Sequence, residues 1–308
     1  MVNPGSRTIA RSRPRINATT RNTLLGLLFV SPWILGFLFF TAYPIIASLY
    51  YSFNLYDIIN PPRWIGLKNF VFMFSGDTTF PIVIYNTVYM VVIGVPLGVL
   101  VSFGLANLLN NKMVGRPIFR TIFFLPSIVP VIAVAMVWLW VYNPNYGVIN
   151  STLASLGLQI VPWLSSPSLA KVSLIIVNVW LNGGAIVIFL AALQDVPREL
   201  YDAAKVDGAT SIQRFLSVTI PLCTPSVLFV SITGLIGAFQ YFAIPWILTR
   251  GGPDQSTNVY GVYLYQNAFS FFKMGYASAL AWVLFVIIVV FTIITFRSSA
   301  RWVYYAGG

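Results

Sequence analysis

The side chains that carry out most protein chemistry are scarce in this chain. Its 308 residues include no histidine and a single cysteine, Cys223. An intrachain disulfide is therefore impossible, and zinc, haem or iron–sulfur sites built from His or Cys are excluded. Only seven acids are present, and four of them, Asp195, Glu199, Asp202 and Asp207, fall within 13 residues. No nucleophile–base pair can be picked out, and no G-x-x-x-x-G-K-[ST] phosphate loop occurs. An enzyme is not expected. If the chain transports actively, another subunit must supply the energy.

The acid cluster has the local marks of a built structure. Asp195 is placed to cap a helix over 197–207, and Pro197 suits its first turn. Gly208 stands where a left-handed C-terminal cap belongs. Thr210-Ser-Ile-Gln213 is a capping box that opens a second helix, with Ile212, Phe215, Leu216 and Ile220 as its apolar face. Pro221 and Pro225 mark the entry into the next apolar run. A long, capped, charged loop of this kind is shaped to fit a socket on a partner.

The elements that position this loop are apolar helices. Hydrophobic residues make up 58% of the chain and charged residues 8%, against roughly 25% in an average soluble protein. Such a chain cannot cover a water-facing surface, so an integral membrane protein is expected. A charge at the bilayer centre costs roughly 2.5–3.5 kcal/mol, so charges bound the spans. Uncharged runs predict six helices near 24–50, 82–109, 120–142, 170–192, 222–248 and 276–296. The polar segment 255–272 reads as interfacial. With the N-terminus inside, thirteen basic residues face the cytoplasm: Arg7, Arg11, Arg13, Arg15, Arg21, Lys112, Arg116, Arg120, Arg198, Lys205, Arg214, Arg297 and Arg301. Five lie outside: Arg63, Lys68, Lys171, Arg250 and Lys273. That bias favours both termini inside. The net charge of +11 is thereby assigned to topology rather than to nucleic acid. Residues 1–21 read as a basic cytoplasmic tail, 22–308 as the transmembrane domain, and 194–221 as its cytoplasmic loop. Apart from Arg120 and Lys171 at their very ends, the spans contain no charged residue, which argues against a proton-coupled carrier.

The loop carries a resemblance. Glu199-Leu-Tyr-Asp202-Ala203-Ala204-Lys-Val-Asp207-Gly208-Ala209, then Phe215, then Ile220-Pro221, resembles the EAA loop of ABC-importer permeases, with Asp202 for the usual Glu and Ile220 for the usual Leu. Ser31-Pro32-Trp33, Tyr43-Pro44, Trp64-Ile-Gly66-Leu-Lys-Asn69-Phe70, Phe124-Leu-Pro126 and Gly251-Gly252-Pro253 are similar to the carbohydrate-type branch, the maltose and glycerol-phosphate permeases. The resemblance implies an all-α, six-helix permease of a prokaryotic cell membrane. A second permease subunit would complete the path, and two cytoplasmic ATPase subunits would bind ATP and magnesium. An extracytoplasmic solute-binding protein would deliver the carbohydrate. The chain itself would hold no cofactor. Glu199, Leu200, Asp202, Ala203, Ala204, Asp207 and Gly208 would form the coupling helix that docks on the ATPase. Glycerol phosphate or a polyol is the alternative cargo, and a stand-alone carrier or channel the alternative class.

A hydroxyl-rich cargo needs hydrogen-bond partners at mid-membrane. Asn178 and Asn182 lie four apart on one helix face. Gln240 and Tyr241 follow Gly234 and Gly237, which leave room for a ligand. Ser127 sits between Pro126 and Pro130, where freed carbonyls can face a cavity. Helix–helix bonding is the competing role for each of these. Gly94, Gly98 and Gly104 are expected to let helices approach closely. The topology is testable by reporter fusions at Arg15 and after Arg301. Both should report from the cytoplasm, and an external signal from either would overturn the orientation.

Overall fold

Where the helices run, and where they break, follows from proline, glycine and the demand that buried backbone groups find partners. A computed structural model describes residues 18–111 and 113–305. Residues 1–17 of the basic tail and Lys112 thus lie outside the described residues. The chain forms two units, residues 1–50 and 51–308. In the first, α1 (Ala18–Phe37) passes through a π-helical turn (Leu38–Ala42) into α2 (Tyr43–Ser52), and its large apolar side chains are exposed. The helix begins ahead of the expected boundary at residue 24.

The second unit opens with a small antiparallel ribbon, β1 (Asn54–Leu55) against β2 (Arg63–Trp64). Gly66, at φ +63, turns the chain into α3 (Lys68–Ser75). There buried Asn69 donates to the Ser52 and Asn54 carbonyls, at 2.9 and 3.0 Å. Next come α4 (Phe80–Tyr89), a π-helical turn (Met90–Gly94) and α5 (Val95–Asn110), which form one long helix. The third predicted span is not one rod. It is α6 (Arg116–Phe124) with a 3-10 turn to Ser127, then α7 (Val131–Val141) at 101°. Pro130 cannot donate and disfavours a helical Val129, so the helix must stop there.

After α8 (Val148–Ser155), the fourth predicted span is likewise two helices, α9 (Pro167–Trp180) and α10 (Gly183–Asp195), bent by 48°. Gly183 is why they can bend here against α6. A Cβ at this position would lie 2.6 Å from the Phe123 carbonyl oxygen. Asp195 ends α10 and does not cap the next helix, α11 (Arg198–Val206), whose N-cap position is Pro197. Then α12 (Ser211–Arg214), a π-helical turn (Phe215–Thr219) and α13 (Ile220–Phe239) run on as one helix, so no separate amphipathic helix precedes the fifth span. Pro225 leaves the Pro221 carbonyl without a backbone donor, and the Thr224 hydroxyl supplies one at 2.6 Å. The helix predicted as the fifth span ends at Phe239 rather than near 248. α14 (Ala243–Leu248) is a separate helix packed on α7. The chain closes with α15 (Tyr260–Tyr265), a further π-helical turn (Gln266–Ser270) and α16 (Met274–Ser299). Four continuous helices are long and apolar enough to span a membrane, and each bent pair adds a candidate fifth and sixth.

Three clusters of buried side chains hold the second unit together. One joins α3, α4, α13, α15 and α16 around Met73, Tyr260 and Leu280. One joins α7, α9, α14 and α15 around Tyr142, Leu174 and Val262. One joins α5, α10 and α13 around Phe189, Leu193 and Cys223. In lipid there is no hydrophobic force between helices, so close packing and polar stitches must supply cohesion. The stitches converge on α4, at its start and near its finish. Asp77 Oδ1 accepts from the Thr79 and Phe80 backbone N–H groups, at 2.9 and 3.2 Å. Its Oδ2 accepts from the Tyr263 and Tyr276 hydroxyls. Asn86 donates to the Gln255 and Asn258 carbonyls, at 2.7 and 3.1 Å. Thr87 Oγ1 accepts from the Tyr260 backbone N–H at 2.8 Å. The segment expected to be interfacial is thus folded onto α4, with Ser256, Thr257, Asn258, Val259 and Tyr260 buried.

Burial pushes the Asp77 carboxyl up, but the hydrogen bonds from Tyr263, Tyr276 and the two N–H groups outweigh it and hold the pKa below its ordinary value. Burial and the neighbouring Asp77 push the Tyr263 phenol up to about 12, so it stays a donor at neutral pH. A carboxyl whose pKa is lowered by folding stabilises the protein above its unfolded value, near 3.9, and loses that contribution as pH falls through the lower folded value. Asp77→Ala is therefore expected to lower thermal stability at neutral pH by roughly 1–3 kcal/mol, and this deficit should shrink in acid. Melting curves of the two proteins at neutral and acid pH check it.

Candidate functional site

Two places concentrate polar groups that the fold does not need for itself. The first is a pocket of about 420 Å³ between α5, α9, α10 and α13. Asn178 lies near the end of α9, and Asn182 is the N-cap position of α10, just past the 48° bend. The bend keeps both amides on the same pocket wall. Neither amide has a hydrogen-bond partner among the described residues. Gly94, Gly184, Gly234 and Gly237 line the rest, and nothing lies within 4 Å of where a Cβ would project from Gly184 or Gly237. Glycine here makes space rather than helix contact.

The pocket joins three of the expected path residues, Asn178, Asn182 and Gly234, and leaves out three others. Ser127 is exposed in the 3-10 turn after α6, and its hydroxyl donates to the Phe124 carbonyl at 2.7 Å. Gln240 caps α13 and is exposed outside the pocket. Tyr241 lies behind the pocket wall. Its hydroxyl donates to the Leu174 carbonyl at 3.3 Å, and its ring packs into the cluster around Tyr142. It braces α9 beneath Asn178 rather than facing a ligand.

One contributor, Thr233, escapes a reading of the sequence, while Gly98 makes the close helix approach expected of it. Thr233 lines the pocket, with its proton committed to the Phe229 or Val230 carbonyl, at 2.9 and 3.2 Å, so it offers acceptor lone pairs. A lone Thr next to Gly234 is the signal that was available. Gly98 clears room for Asn182: a Cβ there would come within 2.4 Å of the amide nitrogen. Gly104, by contrast, has nothing within 4 Å and makes no close helix approach.

Near the start of α9, Lys171 stands over the Tyr85 and Tyr89 rings, 4.6 and 5.1 Å from their centroids. The pocket itself contains no charged side chain. Such a set of amides, a threonine and glycine-made space suits a neutral, hydrogen-bonding solute.

The second place is the acid-rich loop. α11 starts one residue after the expected 197 and ends at Val206. Its C-terminus is a Schellman motif: Gly208 N–H donates to the Lys205 carbonyl at 3.0 Å, and Ala209 N–H to the Ala204 carbonyl at 2.9 Å. Gly208 has φ +77 and open space where a Cβ would go, so glycine is required there by the backbone angle alone. The Thr210–Gln213 capping box is formed in both directions, at 2.7 and 3.3 Å. Tyr201, overlooked within the motif, bonds Thr219 Oγ1 at 2.9 Å and ties α11 to the helix that becomes α13.

This tie fixes which face of α11 is free. Glu199, Leu200, Asp202, Ala203, Asp207 and Gly208 are exposed, and Ala204 is half-buried. Val206, Ile212 and Leu216 add apolar surface at 88%, 72% and 56% exposure. The expected apolar face of the second helix therefore packs only in part, through Phe215 against Phe103. A hydrogen bond from the Lys205 ammonium holds the Asp202 carboxyl below the usual carboxylate range. The result is a rigid, exposed, mixed charged and apolar knob.

A family model described as the binding-protein-dependent transport system inner membrane component matches residues 94–303, which include both the pocket and the knob. The chain belongs to this family. It is 41% identical over 309 aligned positions to the probable ABC transporter permease protein YesP of Bacillus subtilis (strain 168), covering 99% of this chain and 98% of that protein. It is 32% identical to the trehalose/maltose transport system permease protein MalF of Thermococcus litoralis, covering 89% and 93%. Among solved structures, a chain of a bacterial ABC transporter involved in the import of the acidic polysaccharide alginate superposes with a TM-score of 0.77 at 25% identity, covering 91% and 96%. Membership makes the chain an inner-membrane transport component with several membrane-spanning helices.

The pocket geometry gives a direct test. Gly98→Ala meets only the end of the Asn182 side chain, so the protein should fold and insert, but the amide must turn away. Asn178→Ala removes one hydrogen bond, worth about 0.5–1.5 kcal/mol, or up to roughly tenfold in solute affinity. Both variants should assemble normally and transport more weakly, as measured by solute uptake into vesicles.

Proposed function

We propose that the chain is the permease subunit that forms half of the membrane path for a carbohydrate in an ATP-driven, binding-protein-dependent importer. The observation that carries this is the uncharged pocket of Asn178, Asn182 and Thr233 in a chain of this family. Sugar hydroxyls both donate and accept, and a primary amide answers both. Glycerol phosphate suits the pocket less well, because a phosphate would leave its charge without a cation. In this reading the chain crosses the membrane six times with both termini in the cytoplasm, each bent pair counting as one crossing. A second permease completes the path. An extracytoplasmic solute-binding protein delivers the sugar, and two cytoplasmic ATPase subunits bind ATP and magnesium. The surrounding lipid covers the exposed apolar helices.

The knob at α11 is the proposed seat of the ATPase, with Glu199, Leu200, Asp202, Ala203, Asp207 and Gly208 as contact residues and Ala204 behind them. Its support is mechanical. A helix closed by a Schellman motif and pinned by Tyr201 moves as a rigid body, whereas a floppy loop would absorb the push.

The function is tested with the reconstituted complex, by measuring ATP hydrolysis with the binding protein and either maltose, trehalose or glycerol 3-phosphate. A carbohydrate should raise the rate, and stimulation by glycerol 3-phosphate alone would overturn the assignment. The seat is tested by Gly208→Val, which forces a side chain into a left-handed angle at a cost of roughly 1–2 kcal/mol, and by Ala203→Arg on the exposed face. Both variants should insert and lose ATPase in a pull-down. Full retention and coupling in both would refute the docking role.

A further inference from the structure

One cluster of charge lies outside both places described above. Arg116 and Arg120 sit four residues apart on one face of α6. The Nε of Arg116 and the Nε and Nη2 of Arg120 are buried and have no hydrogen-bond partner among the described residues. No acid pairs with either, since the one ion pair among the described residues is Lys205–Asp202. Two neighbouring guanidinium groups with shielded, unmet donors form a site that is short of an anion.

The surroundings specify what kind of anion. Arg120 lines a groove of about 300 Å³ between α5, α6 and α10. The groove continues over Leu109, Phe124, Ile186, Val187 and Leu190, with no second charged side chain. The remaining α6 surface is also apolar, with Ile118 and Ile122 exposed at 65% and 55%. A free phosphate would satisfy the arginines and leave the groove empty. A molecule with an anionic head and a hydrocarbon tail satisfies both.

We propose that Arg116, Arg120 and this groove bind one anionic phospholipid of the cytoplasmic leaflet, its phosphate on the guanidinium pair and an acyl chain along Phe124, Val187 and Leu190. The cytoplasmic placement rests on the topology proposed above. Basic residues at this depth attract anionic headgroups, and an arginine fork matches a phosphate bidentately. The groove's other wall belongs to α10, which ends where α11 begins. A bound lipid would therefore brace the helix that leads into the knob.

The test is native mass spectrometry of the purified importer complex, offered phosphatidylglycerol or phosphatidylethanolamine in mixed micelles. The wild type should retain phosphatidylglycerol in preference. Arg116→Gln with Arg120→Gln should weaken retention about fivefold per arginine. Paired Lys substitutions should keep most of it. Val187→Trp fills the half-exposed groove while leaving both charges in place, and it should also lose the lipid. Equal retention of the two lipids by the wild type would overturn the proposal. So would undiminished retention in the double Gln variant, or displacement of the lipid by inorganic phosphate alone. Failure of the import reading looks different: phosphatidylglycerol is retained but no carbohydrate stimulates ATP hydrolysis.

Discussion

Backbone N–H and C=O groups in hydrocarbon have no water to turn to, and every break in a membrane helix must be answered from within the protein. This chain has several such breaks, and three of them have an identifiable answer. The Thr224 hydroxyl serves the carbonyl that Pro225 frees, and Ser127 turns its own hydroxyl back to Phe124. At the α9–α10 bend, the Asn182 N–H reaches the Val179 carbonyl at 3.2 Å, and Ala185 donates to the Asn182 carbonyl at 3.0 Å. With backbone needs met locally, the Asn178 and Asn182 side chains are left over. That surplus leaves the pocket lined by amides with open hydrogen-bonding capacity.

The same demand explains how the far end of the molecule is closed. The segment after α14 contains positive φ values at Arg250, Gly251, Asp254 and Gln255, so it cannot form a regular element. Asn86 and Thr87, from inside a long apolar helix, take up its backbone groups instead. Asp77 then locks the start of that helix to α15 and α16. Polar residues inside an apolar span thus divide by whether the backbone claims them. Asn86 and Thr87 are claimed, whereas Asn178 and Asn182 are not.

Much of the knob is legible in the sequence because capping is a local matter. Gly208, Thr210 and Gln213 need only their near neighbours to declare a turn and a helix start, and each does what its spacing suggests. The Asp195 cap fails because Pro197 takes the N-cap place and α10 extends through Asp195. Apolar runs locate the helices but not their interruptions. Pro130 announces its break. The bend at Asn182 depends on Gly183 meeting Phe123, and the end of α13 at Phe239 depends on α14 packing against α7. Because α13 ends at Phe239, Tyr241 leaves the face of Gly237 and packs into the cluster around Tyr142 instead. Asp77 is unreadable for a simpler reason: its tyrosine partners lie 186 and 199 residues away.

We propose that the unclaimed amides at the α9–α10 bend hold the transported solute. The most direct measurement is a cryo-electron microscopy map of the assembled importer, trapped with its binding protein and a carbohydrate that stimulates ATP hydrolysis. Solute density is expected between Asn178, Asn182 and the Gly234–Gly237 wall, within hydrogen-bond distance of at least one amide. Solute density confined to another part of the path, with both amides turned into protein contacts, would contradict it.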